Sequence, residues 1–160
     1  MTVPAPRTLA VLGAGYVGAA LASAAARDGI ATWAVRRSAT PGTVDGVTWV
    51  PGDVATGAIA ALPATLDAIV LALAPGHAGD DYVRTYVAGA RGALALATAA
   101  GARLVYTSST GVYGVHDGAV VTEATPRRGA GPSNAALVAA EDALLDQHDV
   151  PVTVLRVAGI

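Results

Sequence analysis

Three glycines at Gly13, Gly15 and Gly18 follow directly on the apolar run from Thr8 to Leu12, and no charge appears again until Arg27. In that order each glycine has its own task. Gly13 permits a tight turn, Gly15 leaves room for backbone to approach a ligand, and Gly18 lets a helix pack closely on a strand. The helix opening at Tyr16 and Val17 then aims unpaired N–H groups and partial positive charge forward, which suits a diphosphate. In a chain with 19 glycines the triplet alone is weak. The strand before it and the helix after it make it a dinucleotide signal.

Such sites choose between cofactors at the end of the second strand, about 20 residues past the glycines. An acidic residue there binds a ribose diol. This chain has Val35-Arg36-Arg37-Ser38 instead. A guanidinium accepts no hydrogen bond from a diol but fits a phosphate dianion, so NADP is expected over NAD. The plainer alternative leaves Arg36 and Arg37 solvated at a strand end. Asp53, followed by Val54, closes the third strand, where a carboxylate can accept the adenine amino group. A turn-forming Asp after Pro51-Gly52 explains it equally well. Leu73, Ala74 and Pro75 end the fourth strand, where small residues would let the middle of a cofactor pass close to backbone. His77 beyond them has no orienting carboxylate in view and reads as surface. The Ser109 hydroxyl at the end of the fifth strand can bond a substrate oxygen; capping the strand end is the alternative.

Alternating strands and helices must position these groups. Strands are expected at residues 8–12, 31–35, 47–50, 68–73, 104–107 and 151–157. Helices are expected at 16–28, a short one at 56–62, then 81–100 and 134–147. The first helix would turn Val17, Ala20, Leu21 and Ala24 to the core, and Ser133 would cap the last. A polar, Gly-rich loop would fill 108–132. The result is one α/β domain over residues 1–160, a Rossmann-type doubly wound parallel sheet of order 3-2-1-4-5-6.

Composition removes several functions. With 160 residues and 53% hydrophobic content the chain can bury a sizeable core. A net charge of −2 gives no electrostatic reason to expect nucleic acid. There is no Cys, which excludes disulfides, thiolate zinc ligands and cysteine nucleophiles, and no metal site is expected. All ten basic residues are Arg, so neither a P-loop lysine nor a lysine acid or base is available. The uncharged stretch before Arg27 resembles a signal peptide only superficially, since its glycines and alanines dilute the apolar run. A cytoplasmic protein without a membrane segment is expected.

The segment Leu104-Val105-Tyr106-Thr107-Ser108-Ser109-Thr110-Gly111-Val112-Tyr113-Gly114 carries a second signal. Together with Gly13-Ala14-Gly15-Tyr16-Val17-Gly18 it resembles the extended and atypical short-chain dehydrogenase/reductases, the epimerase/dehydratase-like members. The likeness includes Val87 to Gly92, Glu123 before Thr125-Pro126, Ala140-Glu141 and Leu155 to Ile160. It implies NAD(P) binding and a nucleotide-sugar or small carbonyl substrate, with Ser109 orienting the substrate oxygen. It also implies a homodimer through the helices at 81–100 and 134–147, where Ala88, Ala95 and Ala99 would allow close contact.

Two departures accompany the resemblance. The family's acid/base Tyr, with a Lys four residues later, falls on Ser133 and Leu137, and the chain contains no Lys at all. An unassisted phenol such as Tyr106 or Tyr113 is a poor substitute at neutral pH, and packing is the expected role of both. The family also continues beyond the sixth strand into a substrate domain, whereas this sequence stops at Ile160, as a fragment, a truncated reading frame or a cut at the domain edge would. Two functions therefore stand: a cofactor-binding oxidoreductase- or epimerase-like domain, or a non-catalytic nucleotide-sensing or scaffold protein. A serine hydrolase using Ser108 or Ser109 with His116 and Asp117 is disfavoured, because the nucleophile elbow requires a glycine two residues before the serine.

Overall fold

The computed structural model describes residues 4–38, 44–76, 81–115 and 117–158. Strand β1 (Thr8–Leu12) leads into helix α1 (Tyr16–Arg27), then β2 (Ala31–Arg36), β3 (Val47–Asp53), β4 (Ala58–Ile59) and β5 (Ala68–Leu71). A π-helical segment (Val83–Ala88) runs into α2 (Gly89–Ala100), followed by β6 (Arg103–Ser109), a 3₁₀ turn (Thr110–Tyr113), α3 (Gly131–Leu145) and β7 (Val152–Val157). The strands form one sheet in the order β4-β3-β2-β1-β5-β6-β7, parallel except where β4 meets β3. Leaving aside β4, this is the expected doubly wound order. The winding reverses between β1 and β5, which opens a crevice at their carboxyl ends.

The sheet is covered on both faces, and the strand period sorts its residues. Leu9 and Val11 face α1, where they pack with Ala22, Ala25, Ala34 and Val70. Ala10 and Leu12 face the other way, into a larger cluster with Ala90, Ala93 and Ala97 of α2 and Leu137, Ala140 and Leu144 of α3. Alanine-lined helices lie close to the sheet. A Cβ added at Gly92 would fall 2.0 Å from the Val54 carbonyl oxygen. On β7, Thr153, Leu155 and Val157 point outward and are exposed. At the amino ends of the central strands, the Asp67 carboxylate accepts from the Arg7 and Thr8 amides at 2.8 and 2.9 Å. Those N–H groups hold its pKa below the ordinary value and tie the start of β1 to β5.

Four expectations change. Residues 56–62 are not a helix: Asp53 nucleates a turn, accepting from the Ala55 amide through Oδ1, and the chain folds back as β4 against Gly52 and Asp53. The buried face of α1 is Gly18, Ala22 and Ala25, about one residue round from the expected stripe, and Ala20 is exposed. Close contact at Gly18 sets that rotation, since a Cβ there would lie 2.3 Å from the Gly13 carbonyl oxygen. Helix α3 starts at Gly131 with Pro132 in its first turn and no side-chain cap, so Ser133 lies inside the helix. Proline's fixed φ and missing N–H fit that place without help from a serine. Finally, β6 extends through Ser108 and Ser109, which are therefore strand residues.

Gly92→Ala is expected to lower unfolding free energy by about 1–3 kcal/mol, because overpacking against a backbone carbonyl has no flexible atom to yield. Urea denaturation of the two chains measures it.

Candidate functional site

A cleft of about 690 Å³ lies along the carboxyl edge of the sheet, across the point where the winding reverses. Its volume is in the range of sites that enclose a cofactor-sized ligand. Its middle is the glycine turn. Gly13 takes φ +95°, a conformation L side chains rarely adopt, and a Cβ there would also strike the Ala72 carbonyl at 2.5 Å. The Gly13 and Ala14 amides both donate to the Val35 carbonyl, at 3.0 and 2.9 Å. Nothing lies within 4 Å of the place a Gly15 Cβ would occupy, so the turn opens onto free space. No side chain caps α1, which leaves its first N–H groups and its positive end facing the cleft. Tyr16 is 92% exposed at the rim, and Val17 lines the wall beside it. Gly18 lies beneath the wall as a packing residue.

One end of the cleft is basic. Arg36, Arg37 and Ser38 line it from β2, and Asp53, Val54 and Ala55 from the end of β3. The Arg36 guanidinium lies over the Trp49 ring, 6.0 Å from its centroid. Arg84, on the π-helical segment, reaches across to the Asp53 carboxylate in a salt bridge. Partial burial pushes the Asp53 pKa up, but the Arg84 guanidinium and the Ala55 amide outweigh it and hold it below the ordinary value of 3.8. Asp53 is thus both a turn former and a wall of the cleft.

The other end is less polar. Thr107, Ser108, Ser109, Tyr86, Leu137 and Val157 line it. Ser109 accepts from the Gly111 amide at 3.1 Å and so caps the 3₁₀ turn while facing the cleft. Leu137 is buried in the wall. Tyr86 is half-buried, and burial raises its pKa; Ser133 opposes that rise and Tyr82 adds to it. Tyr106 is fully buried and does not line the cleft. Its hydroxyl makes no well-formed hydrogen bond, and its pKa is raised by burial first, then by Tyr86 and Glu141. Tyr113 is also buried, with its hydroxyl bound by Arg156 at 2.8 Å. Both phenols are structural.

Behind Ser108 lies a buried charge cluster. Glu141, fully buried, accepts from Ser108 Oγ at 2.6 Å, from Arg127 at 3.2 Å and from Arg156 Nη2 at 2.7 Å. Arg156 is held charged by Glu141, and its guanidinium lies over the Tyr113 ring, 5.0 Å from the centroid. The cluster joins β6, α3 and β7 beneath the less polar end of the cleft.

Of the residues singled out by sequence, Gly13, Gly15, Tyr16, Val17, Arg36, Arg37, Asp53, Val54, Leu73, Ala74 and Ser109 line one cleft. Pro75 does not, although Ala74 and Gly76 on either side do. His77 and His116 lie outside the described residues. Arg84 and Tyr86 were missed, because they belong to no motif and only the crossover from β5 brings them to the cleft. Among the described residues no cluster could hold a metal ion, and no helix is long and apolar enough to cross a membrane.

A glycine turn, an uncapped helix and a basic strand end, all at the reversal of a doubly wound sheet, are the features of the dinucleotide-binding type of α/β fold. The sequence narrows this further: residues 9–158 match the NAD dependent epimerase/dehydratase family, and the chain belongs to it. No curated protein matches it by sequence. Among solved structures it is similar to the Bordetella bronchiseptica enzyme WbmG in complex with NAD and UDP, with a TM-score of 0.76 at 23% identity over 94% of this chain and 52% of that one. A UDP-galactose 4-epimerase gives a TM-score of 0.79 at 20% identity, covering 93% and 55%. MoeE5, solved with UDP-glucose and NAD, gives 0.73 at 25% identity, covering 92% and 52%. The chain spans about half the length of these structures.

Glu141→Ala leaves Arg156 without its carboxylate partner, while Arg127 keeps Asp142 at 2.8 Å, and is expected to lower stability by about 3–5 kcal/mol. A Glu141→Leu/Arg156→Leu pair should lose less, as chemical denaturation of both variants will show. Because folding lowers the Asp53 pKa, its ion pair stabilises the fold above the ordinary value of 3.8 and is lost as pH falls through the lowered one. Acid unfolding of Asp53→Asn should accordingly lack this part of the pH dependence.

Proposed function

We propose that the cleft binds NADP(H) and that the chain is the cofactor-binding part of an epimerase/dehydratase-type protein acting on a nucleotide sugar or related carbonyl compound. The observation that carries this reading is the basic end of the cleft, where Arg36 and Arg37 stand in place of a diol-binding acid. In this placement the 2′-phosphate meets Arg36 and Arg37, and the diphosphate lies before the first turn of α1. The adenine lies along Asp53 and Val54. The middle of the cofactor passes Leu73 and Ala74, and the nicotinamide lies towards Ser109. The fit rests on the free space at Gly15 and the uncapped helix behind it. WbmG and MoeE5 were solved with NAD, and MoeE5 also with UDP-glucose, which supports a nicotinamide dinucleotide and a nucleotide-sugar substrate class. Preference for the phosphorylated cofactor is the part that this chain's own arginines add.

A second reading has an observation in its favour. Leu137 lines the cleft, and the resemblance implies that the family's Lys and Tyr fall on Leu137 and Ser133. A site built this way holds a cofactor without the usual proton-transfer pair, as a sensor or scaffold would. Cofactor binding together with turnover of UDP-sugars by the protein supports the enzyme; binding without turnover supports the sensor.

The first reading is tested by titration calorimetry with NADP⁺ and NAD⁺. Arg36→Asp is expected to weaken NADP⁺ by about 10–100-fold, the worth of one charge-assisted contact, while NAD⁺, whose diol the new carboxylate can accept from, is not weakened. Equal losses for the two cofactors would count against the phosphate contact.

A further inference from the structure

Among the described residues the basic end of the cleft presents three guanidinium groups, Arg36, Arg37 and Arg84, and one carboxylate, Asp53. Asp53 interacts with two of them. Arg84 Nη2 donates to its Oδ2, and Arg37 acts on the same carboxylate through space, without ion-pair contact. Arg37 is exposed, and among the described residues neither it nor Arg36 has a carboxylate at ion-pair distance.

We infer that Arg84 is a specificity-determining residue for a phosphorylated ribose, by engaging Asp53 across the cleft and so leaving Arg37 free to meet the 2′-phosphate. The inference rests on the NADP reading and deepens it. Two physical effects act together. An uncompensated carboxylate in the same cleft repels a phosphate dianion held by Arg36 and Arg37, and at the intermediate dielectric of a cleft such repulsion is worth about tenfold in binding. The same free carboxylate also draws the flexible Arg37 side chain to itself, in competition with the ligand. Arg84 removes both effects.

Its position suits this work. Its backbone N–H is fixed by Asp81 Oδ1 at 2.9 Å, and the side chain spans from the π-helical segment to the end of β3 while remaining 41% exposed to the cleft. Asp53 is fixed in turn by the Ala55 amide on its other oxygen. The bridge is therefore held at both ends before any ligand arrives. A diol without the phosphate has much less to gain from it, so the effect falls on the ratio of the two cofactors.

The test measures dissociation constants of NADP⁺ and NAD⁺ by titration calorimetry for the unmodified chain, Arg84→Met, Arg84→Lys, Asp53→Asn and the Arg84→Met/Asp53→Asn pair. Circular dichroism confirms that each is folded. Arg84→Met is expected to weaken NADP⁺ by about tenfold and NAD⁺ by less than about threefold. Arg84→Lys should keep the cofactor ratio near that of the unmodified chain. Adding Asp53→Asn to Arg84→Met should restore NADP⁺ affinity, since the charge to be neutralised is gone. Equal weakening of the two cofactors by Arg84→Met, or no recovery in the double variant, overturns the inference. Tighter binding of NAD⁺ than NADP⁺ by the unmodified chain overturns the NADP reading instead. In that case the shift in ratio between the variants still decides the role of Arg84, and absence of binding by either cofactor overturns both.

Discussion

Two amides share one carbonyl oxygen: Gly13 and Ala14 both donate to Val35. That junction ties the glycine turn after β1 to the last buried residue of β2, and the rest of the cleft takes its dimensions from it. Immediately beyond Val35 come Arg36 and Arg37, and immediately beyond Ala14 comes the uncapped start of α1. The distance between an anion-attracting helix end and a pair of guanidinium groups is thus set by backbone hydrogen bonds. Side chains at the rim can change without moving the frame.

Legibility of the sequence followed the range of the interactions involved. The strands at the middle of the sheet were readable because both their faces are buried, so Leu9 to Leu12 and Ala68 to Leu71 run almost without polar residues. The turn at Gly13 was readable because its backbone conformation selects for glycine. Where the outcome depended on a partner distant in sequence, reading failed. The rotation of α1 is set by contact between Gly18 and the turn, and local periodicity pointed one residue away. The segment after Asp53 has helical composition, but the turn made by that carboxylate sends it back along β3. Arg84 gave no sign of itself, because its partner is 31 residues earlier.

The two ends of the cleft handle charge in different ways. At the basic end the charges are near water and loosely held, with Arg37 exposed and Arg84 partly so. Behind the other end, Glu141 is fully buried and satisfied by two arginines and a serine. Such a cluster is a poor source of net stability, because desolvation offsets most of the attraction. It does restrict how β6, α3 and β7 fit together, and it holds Ser108 next to Ser109. Ser109 Oγ accepts from the Gly111 amide, which leaves its hydroxyl proton and a second lone pair to offer a ligand.

Gly92 carries a consequence for how this site can diversify. Helix α2 rests there against the backbone of Val54, a residue of the cleft wall, with no space for even a methyl group. Substitution at Gly92 would therefore push against the wall at the basic end of the cleft. Exposed rim side chains such as Arg37 have no such constraint, so in descendants of this sequence exchange of charges at the rim costs less than reshaping the wall beside Gly92.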